Sequence, residues 1–331
     1  MAFAGRRATA LGEGQKRQNL CRGTRLPVNK TNVVVTGASG QLGKTLQALW
    51  PASQLSPRFN LIPLQRKQLD ISRAQEVAAT LDALNAHIII NAAAYTAVDQ
   101  AESESEDAFA SNQQGVVNLA AWAAANQAWL IHISTDFVFD GAATSPYAPA
   151  SKPSPIGVYG ASKLAGEVQV QQRLPEAGTI IRTSWLYSEF GNNFVKTMLR
   201  LMNEKPELAV VNDQIGSPSS SHSLAAVIFA MIETGNDSRA DYSGVYHWSD
   251  GGRISWFDFA QAIQQQGLQQ GLLKTEIPLR PIASSDYPTA ARRPAYSVLD
   301  RSKTLAEFDC PSLNWQQQLA VVIKAIAGIE G

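Results

Sequence analysis

Cysteine is nearly absent from this 331-residue chain: there are two, Cys21 and Cys310. They are too few and too far apart for a disulfide framework, and they suit a reducing compartment, the cytoplasm. Histidine is almost as scarce, four in all, and His87, His132, His222 and His247 show no HxxxH or CxxC spacing. The residues therefore predict no zinc site and no other metal centre. An excess of either charge is missing too, since Lys+Arg and Asp+Glu both number 28. That balance argues against nucleic acid and against an anionic membrane surface as partners. No apolar run approaches the ~20 residues of a membrane span.

The even balance hides an asymmetry. Residues 1–30 hold seven basic side chains and one acid, Glu13, so this segment carries +6 and the remainder −6. It lacks the apolar run of a signal peptide and reads as a disordered basic extension. An Arg-rich targeting peptide, or a start codon assigned too early, are the alternatives.

What is present from residue 31 onward is alternation. TNVVVT (31–36) ends in GASGQLG, and a helix is predicted over 44–50, broken by Pro51. A strand at 60–64, a helix over 74–84, a strand at 87–91, a long helix over 103–126 and a strand at 128–134 follow. A helix over 159–174 and a strand at 179–183 complete the regular part. Such alternation predicts a Rossmann-type, doubly wound parallel α/β sheet over residues 31–183. Residues 184–331 read as a smaller substrate-binding region, with turn-rich sequence over 184–222 and helices expected over 224–232, 256–266 and 314–327. A late strand, 244–248, returns to the core.

Gly37, Gly40 and Gly43 stand at GxxGxxG spacing between the first strand and helix, where backbone N–H groups can hold a pyrophosphate. Gly37 suits a tight turn, Gly40 a close backbone approach to phosphate, and Gly43 close helix packing. About 20 residues on, an acid would bind the ribose of NAD and a base would accept a 2′-phosphate. The chain reads Gln65, Arg66, Lys67 there, with no acid before Asp70, which favours NADPH and leaves NADH open.

Tyr159 and Lys163, in YGASK, lie one helical turn apart and only 24 residues after Thr135 in STDFVF. A tyrosine normally ionises near pH ~10, and an adjacent ammonium is expected to bring it closer to working pH for proton exchange. Thr135, or in second place Ser134, would donate to a substrate carbonyl and stabilise the developing alkoxide.

With these residues assembled, the chain resembles the extended short-chain dehydrogenase/reductases and, among them, the dTDP-4-dehydrorhamnose reductases. The resemblance runs through VTGASGQLG, NAAAYTAVDQAE, STDFVFDG, VYGASKLAGE, IRTSWLYSEFGNNFVKTML and DYPTAARRPAYSVLD. It implies that Gly37, Ser39, Gly40, Gln41 and Leu42 line the cofactor phosphates. Asp70 and Ile71 would lie near adenine, and Ala92, Ala93 and Ala94 beside the adenosine half. Lys163 would bind the nicotinamide ribose, while Val98 and Trp185 would line the sugar pocket. The implied reaction is NADPH-dependent reduction of the C4 ketone of dTDP-4-dehydro-L-rhamnose, with Tyr159 giving the proton. Arg292 and Arg293, in ARRP, are candidates to clamp the substrate diphosphate.

Two departures stand out. Phe137 replaces the commoner tyrosine of STDYVF. Thr45 stands where some family members place a glutamate that binds Mg²⁺ at a dimer interface, which weakens the case for Mg²⁺ and for that form of homodimer. Two rival readings stay open: a non-catalytic nucleotide-binding subunit, like the methionine adenosyltransferase β subunit, and another nucleotide-sugar epimerase or dehydratase, for which Asp136 could supply an acid.

Overall fold

The computed structural model describes residues 30–310 and 312–330. The basic extension lies outside them except for Lys30, whose Nζ donates to the Ser56 carbonyl at 2.8 Å.

Three consecutive valines, Val33 to Val35, are wholly buried in β1 (Thr31–Thr36), a β-branched run suited to a strand covered on both faces. It leads into α1 (Gln41–Leu49), β2 (Phe59–Leu64), α2 (Ala74–Ala83) and β3 (Ala86–Asn91). α1 starts three residues earlier than the sequence pattern suggests, because the glycine segment itself supplies its first turn. Next come the short α3 (Val98–Ala101), then α4 (Ser105–Phe109) and α5 (Gly115–Ala125), and then β4 (Trp129–Thr135). The single helix expected over 103–126 runs without a gap from Ser105 to Ala125, but winds into a π-turn at Ala110–Gln114. Buried Asn112 sits in that turn, and its side-chain amide accepts from the Tyr95 N–H and donates to the Tyr95 carbonyl, a tertiary tie at the place where the helix widens. α6 (Val158–Arg173) and β5 (Gly178–Thr183) follow.

Beyond β5 the chain is more regular than its turn-rich composition suggests. After β6 (Leu186–Tyr187), Asn193 caps α7 (Phe194–Glu204) by accepting from the Lys196 N–H at 3.2 Å. Val195, Met198, Leu199 and Met202 form the buried stripe of that helix. β7 (Leu208–Val211), β8 (Ile215–Gly216), β9 (Ser219–Ser220), α8 (Ser221–Gly235) and β10 (Gly244–Trp248) come next. The chain finishes through β11 (Ile254–Ser255), α9 (Trp256–Gln269), β12 (Leu279–Ile282), α10 (Ser302–Glu307) and α11 (Trp315–Glu330).

The main sheet has the order β10-β5-β4-β3-β1-β2, and every pairing in it is parallel. Its two faces carry separate cores: α1 and α8 cover one, α2, α5 and α6 the other. A third core, built from α7, α9 and α11 around Phe259 and Trp315, lies outside the sheet. The helix after β1 and the helices after β3 leave on opposite faces, so a crevice opens at the carboxyl ends of these neighbouring strands.

Candidate active site

Polar residues tie the strand ends that floor the crevice. Thr36 Oγ1 donates to Asn91 Oδ1 at 2.7 Å, and Asn91 Nδ2 lies 3.0 Å from His132 Nδ1, which links β1, β3 and β4. Above this floor Gly37 adopts a φ of 69°, and a Cβ there would stand 2.6 Å from the Ala92 carbonyl oxygen. A Cβ on Gly43 would stand 2.5 Å from the Gly37 carbonyl oxygen, so both ends of the loop require glycine. Gly40 is less crowded and, like Ser39, is exposed. No side chain caps α1 at Gly40, which leaves the N–H groups of Gln41, Leu42 and Gly43 directed at the crevice without a helical partner. This cradle fits a dinucleotide pyrophosphate.

Other cofactor candidates divide. Ala92, Ala93 and Ala94 border the crevice directly after β3. Arg66 is exposed, with Nε 3.6 Å from Asp70 Oδ2, while Ser72 holds the Asp70 carboxylate below its ordinary pKa. The Ile71 side chain is buried in the core against Gly115 and its carbonyl accepts from Asn118 Nδ2 at 2.8 Å, so its side chain does not face the crevice. The Gln41 carboxamide accepts from Ser188 Oγ at 3.1 Å and Asn193 Nδ2 at 2.9 Å, tying the glycine loop to the start of α7.

Thr135, Tyr159 and Lys163 come together at the carboxyl end of β4. Thr135 Oγ1 donates to Asp136 Oδ1 at 3.1 Å and accepts from the Phe137 N–H at 3.2 Å. Ser134, the second-place carbonyl donor, turns the other way: its hydroxyl donates to Glu167, so Thr135 is the strand-end hydroxyl beside Tyr159. Phe137, lacking the family's hydroxyl, packs edge-on against the Tyr159 ring at 5.5 Å.

The electrostatics differ from expectation. Tyr159 is pushed up to about 12, first by burial, with the Asp136 charge adding to it and the Thr135 hydroxyl opposing. Lys163 does not draw the phenol down. Its Nζ donates to the Ile133 carbonyl at 2.6 Å, and burial lowers its own pKa to about 8. Desolvation outweighs the simple pairing of ammonium with phenolate. Asp136 is 1% exposed, and burial raises it to about 6.

Val98 opens α3 and is half-buried. Trp185 has a φ of 47°, a rare conformation for a non-glycine residue, and lies flat on Trp256 at 3.5 Å with an interplanar angle of 8°. A Cβ on Gly216 would stand 2.5 Å from the Trp185 ring, so that wall is fully packed. Beside it a cavity of about 1120 Å³ is lined by Phe194, Met198, Gln214, Trp256, Arg292 and Arg293 among others. Its lining does not include Thr135, Tyr159 or Lys163, but it does include Trp256, stacked on Trp185, and Arg293. Arg293 Nη2 bonds Asp99 Oδ2 at 2.7 Å, next to Val98, whereas Arg292 is exposed.

Sequence reasoning missed Trp256, Asn112 and Glu167. Asn112 Nδ2 donates to Ser162 Oγ at 3.0 Å and thereby touches α6, the helix that carries Tyr159 and Lys163. At Thr45 the hydroxyl donates to the Gln41 carbonyl at 3.0 Å and shares a 2.7 Å hydrogen bond with Ser221 Oγ. That position offers a hard cation no carboxylate, so Mg²⁺ has only weak support here.

A glycine cradle at the switch point of a parallel sheet, facing a tyrosine and a lysine one turn apart on α6, places the chain among the short-chain dehydrogenase/reductases. Comparison with known proteins narrows the class. Residues 31–327 match the family described as the RmlD substrate binding domain. The chain is 39% identical to a dTDP-4-dehydrorhamnose reductase of Aggregatibacter actinomycetemcomitans, over 87% of this chain and 96% of that one. Among solved structures it is similar to the Bacillus anthracis dTDP-4-dehydrorhamnose reductase in complex with NADP, with TM-score 0.81, 38% identity, and coverage of 91% and 100%. A Clostridium acetobutylicum reductase of the same description also gives TM-score 0.81, at 35% identity over 89% of this chain and 99% of that one. This chain belongs to the dTDP-4-dehydrorhamnose reductase family.

Proposed function

We propose that the protein reduces the C4 ketone of dTDP-4-dehydro-L-rhamnose to dTDP-L-rhamnose with NADPH, in the cytoplasm. The observation that carries this reading is the Thr135, Tyr159 and Lys163 cluster beside the glycine cradle, in a chain similar over most of its length to proteins named dTDP-4-dehydrorhamnose reductase. Bound NADPH would supply the hydride. The N–H groups of Gln41, Leu42 and Gly43 would hold its pyrophosphate, Ala92 to Ala94 would flank the adenosine half, and Arg66 would meet the 2′-phosphate.

A raised Tyr159 pKa suits this direction of reaction. At about 12 the phenol is protonated throughout the physiological range and can release its proton only to a strongly basic alkoxide as that charge develops. Thr135 must rotate its hydroxyl away from Asp136 to donate to the ketone oxygen. Lys163, near 8, is largely cationic at neutral pH and can bind the ribose hydroxyls. Trp185, backed by Trp256, forms the apolar wall that excludes water from the sugar. The cavity beyond it has room for the nucleotide, with Arg292 free for the diphosphate and Arg293 held by Asp99.

Asp136 stands where an acid could, so it is the resemblance to proteins named dTDP-4-dehydrorhamnose reductase that favours the reductase over a dehydratase, while intact Thr135, Tyr159 and Lys163 weigh against a pure binding subunit. Tyr159→Phe tests the reading. It should lower kcat by roughly 10² to 10⁴ while leaving the Kd for NADPH unchanged. Near-normal turnover would remove Tyr159 as the acid.

A further inference from the structure

Behind the catalytic cluster lies a charged pair that the proposed chemistry does not use. Glu167 and Arg182 are sealed in the protein, with side chains 1% and 3% exposed, and their closest contact is 2.6 Å. Arg182 donates through both Nε and Nη2, stacks its guanidinium 5.1 Å from the centre of the Phe139 ring, and reaches the Pro149 carbonyl. His247, kept neutral by burial and by Arg182, presents Nε2 to Nη1 at 3.4 Å.

A buried ion pair is weak evidence of stability, because well-packed apolar residues of similar volume serve as well or better. Its position says more. Glu167 lies on α6 one turn beyond Lys163, itself one turn beyond Tyr159. Its Oε1 accepts from Ser134, the neighbour of Thr135, and its partner Arg182 is on β5 three residues before Trp185. We propose that Glu167 is a positioning residue for the reaction: one carboxylate fastens the three segments carrying Thr135, Tyr159 with Lys163, and Trp185, and supplies the negative field at Lys163. This rests on the reductase reading for its catalytic part.

Titratable groups from several elements crowd this part of the fold. Tyr159 and Glu167 share its helix, His132 lies on β4 with Asp136 just past it, Arg182 comes from β5, and His247 from β10 stands behind Arg182. His132 is held neutral by burial and by Lys163 itself. Glu167 is the one negative group in this set that raises the Lys163 pKa against the cost of burial.

The test uses full-length protein and two variants. Glu167→Gln keeps the shape and removes the charge; Ser134→Ala keeps the charge and removes one tie. Titration of ¹³C-labelled lysine by NMR, with the Lys163 signal assigned through Lys163→Arg, needs no substrate and so decides the field even if the reductase reading fails. Glu167→Gln should lower the Lys163 midpoint by about one pH unit, and Ser134→Ala should leave it in place. Both should lower kcat, by about tenfold and about fivefold, with both KM values within twofold. Should Glu167→Gln not fold, Ser134→Ala still decides the positioning. A wild-type midpoint in folded Glu167→Gln, or wild-type kcat in Ser134→Ala, overturns the proposal.

Discussion

At the residue scale, burial rather than pairing governs Tyr159 and Lys163. Tyr159 is raised and Lys163 lowered for the same reason, the loss of water around a charge. Asp250 shows the effect on stability. Burial lifts its carboxyl from 3.8 to about 7, against hydrogen bonds from Ser223 Oγ and the Ser220 N–H. The folded state therefore holds a proton that the unfolded chain has lost, so this contribution is complete below pH 3.8 and is lost as pH rises through about 7. Asp250→Asn, which can keep both contacts, should flatten that slope. Thermal unfolding at pH 5 and pH 8 should show a smaller difference in the variant; an equal difference would mean that Asp250 does not carry it. Trp256 acts by packing instead. Trp256→Ala removes the support of Trp185 and should raise KM for the nucleotide sugar about tenfold, with little change in KM for NADPH. Equal KM values would show that Trp185 holds its unusual backbone without the stack.

At the element scale, what could be read from sequence is what depends on neighbours along the chain. The valines of β1, the glycine loop and the turn spacing of Tyr159 and Lys163 are local signals, and all fall on the expected elements. The π-turn was invisible because the partner of Asn112 within it, Tyr95, is 17 residues away. α7 was hidden by the polar run around it, although Asn193 and its apolar stripe were both there to be read. The Glu167 and Arg182 pair joins a helix to a strand, and no spacing rule announces it. The glycine loop gives the sharpest element-scale expectation. Gly43→Ala brings a Cβ to 2.5 Å from the Gly37 carbonyl oxygen and 2.6 Å from Ala38 Cα, atoms that can give way only if the cradle opens. The variant should bind NADPH at least tenfold more weakly by calorimetry. Unchanged affinity would place the pyrophosphate elsewhere.

At the scale of the whole molecule, the sheet supplies a rigid floor and the third core supplies the walls. Gln41 fastens the glycine loop to the start of α7, and Arg293 fastens the ARRP segment to Asp99, so cofactor cradle and cavity are held to one frame. The family match spans 31–327, which makes the chain without residues 1–29 a sufficient catalyst on this account. Its kcat should equal that of the full chain, and a large loss would assign the extension a role in the reaction. The central claim is tested most directly by mixing purified protein with dTDP-4-dehydro-L-rhamnose and NADPH and following the reduced-nicotinamide absorbance. The account predicts a decay that depends on the sugar and yields dTDP-L-rhamnose; absorbance no different from the sugar-free control would contradict it.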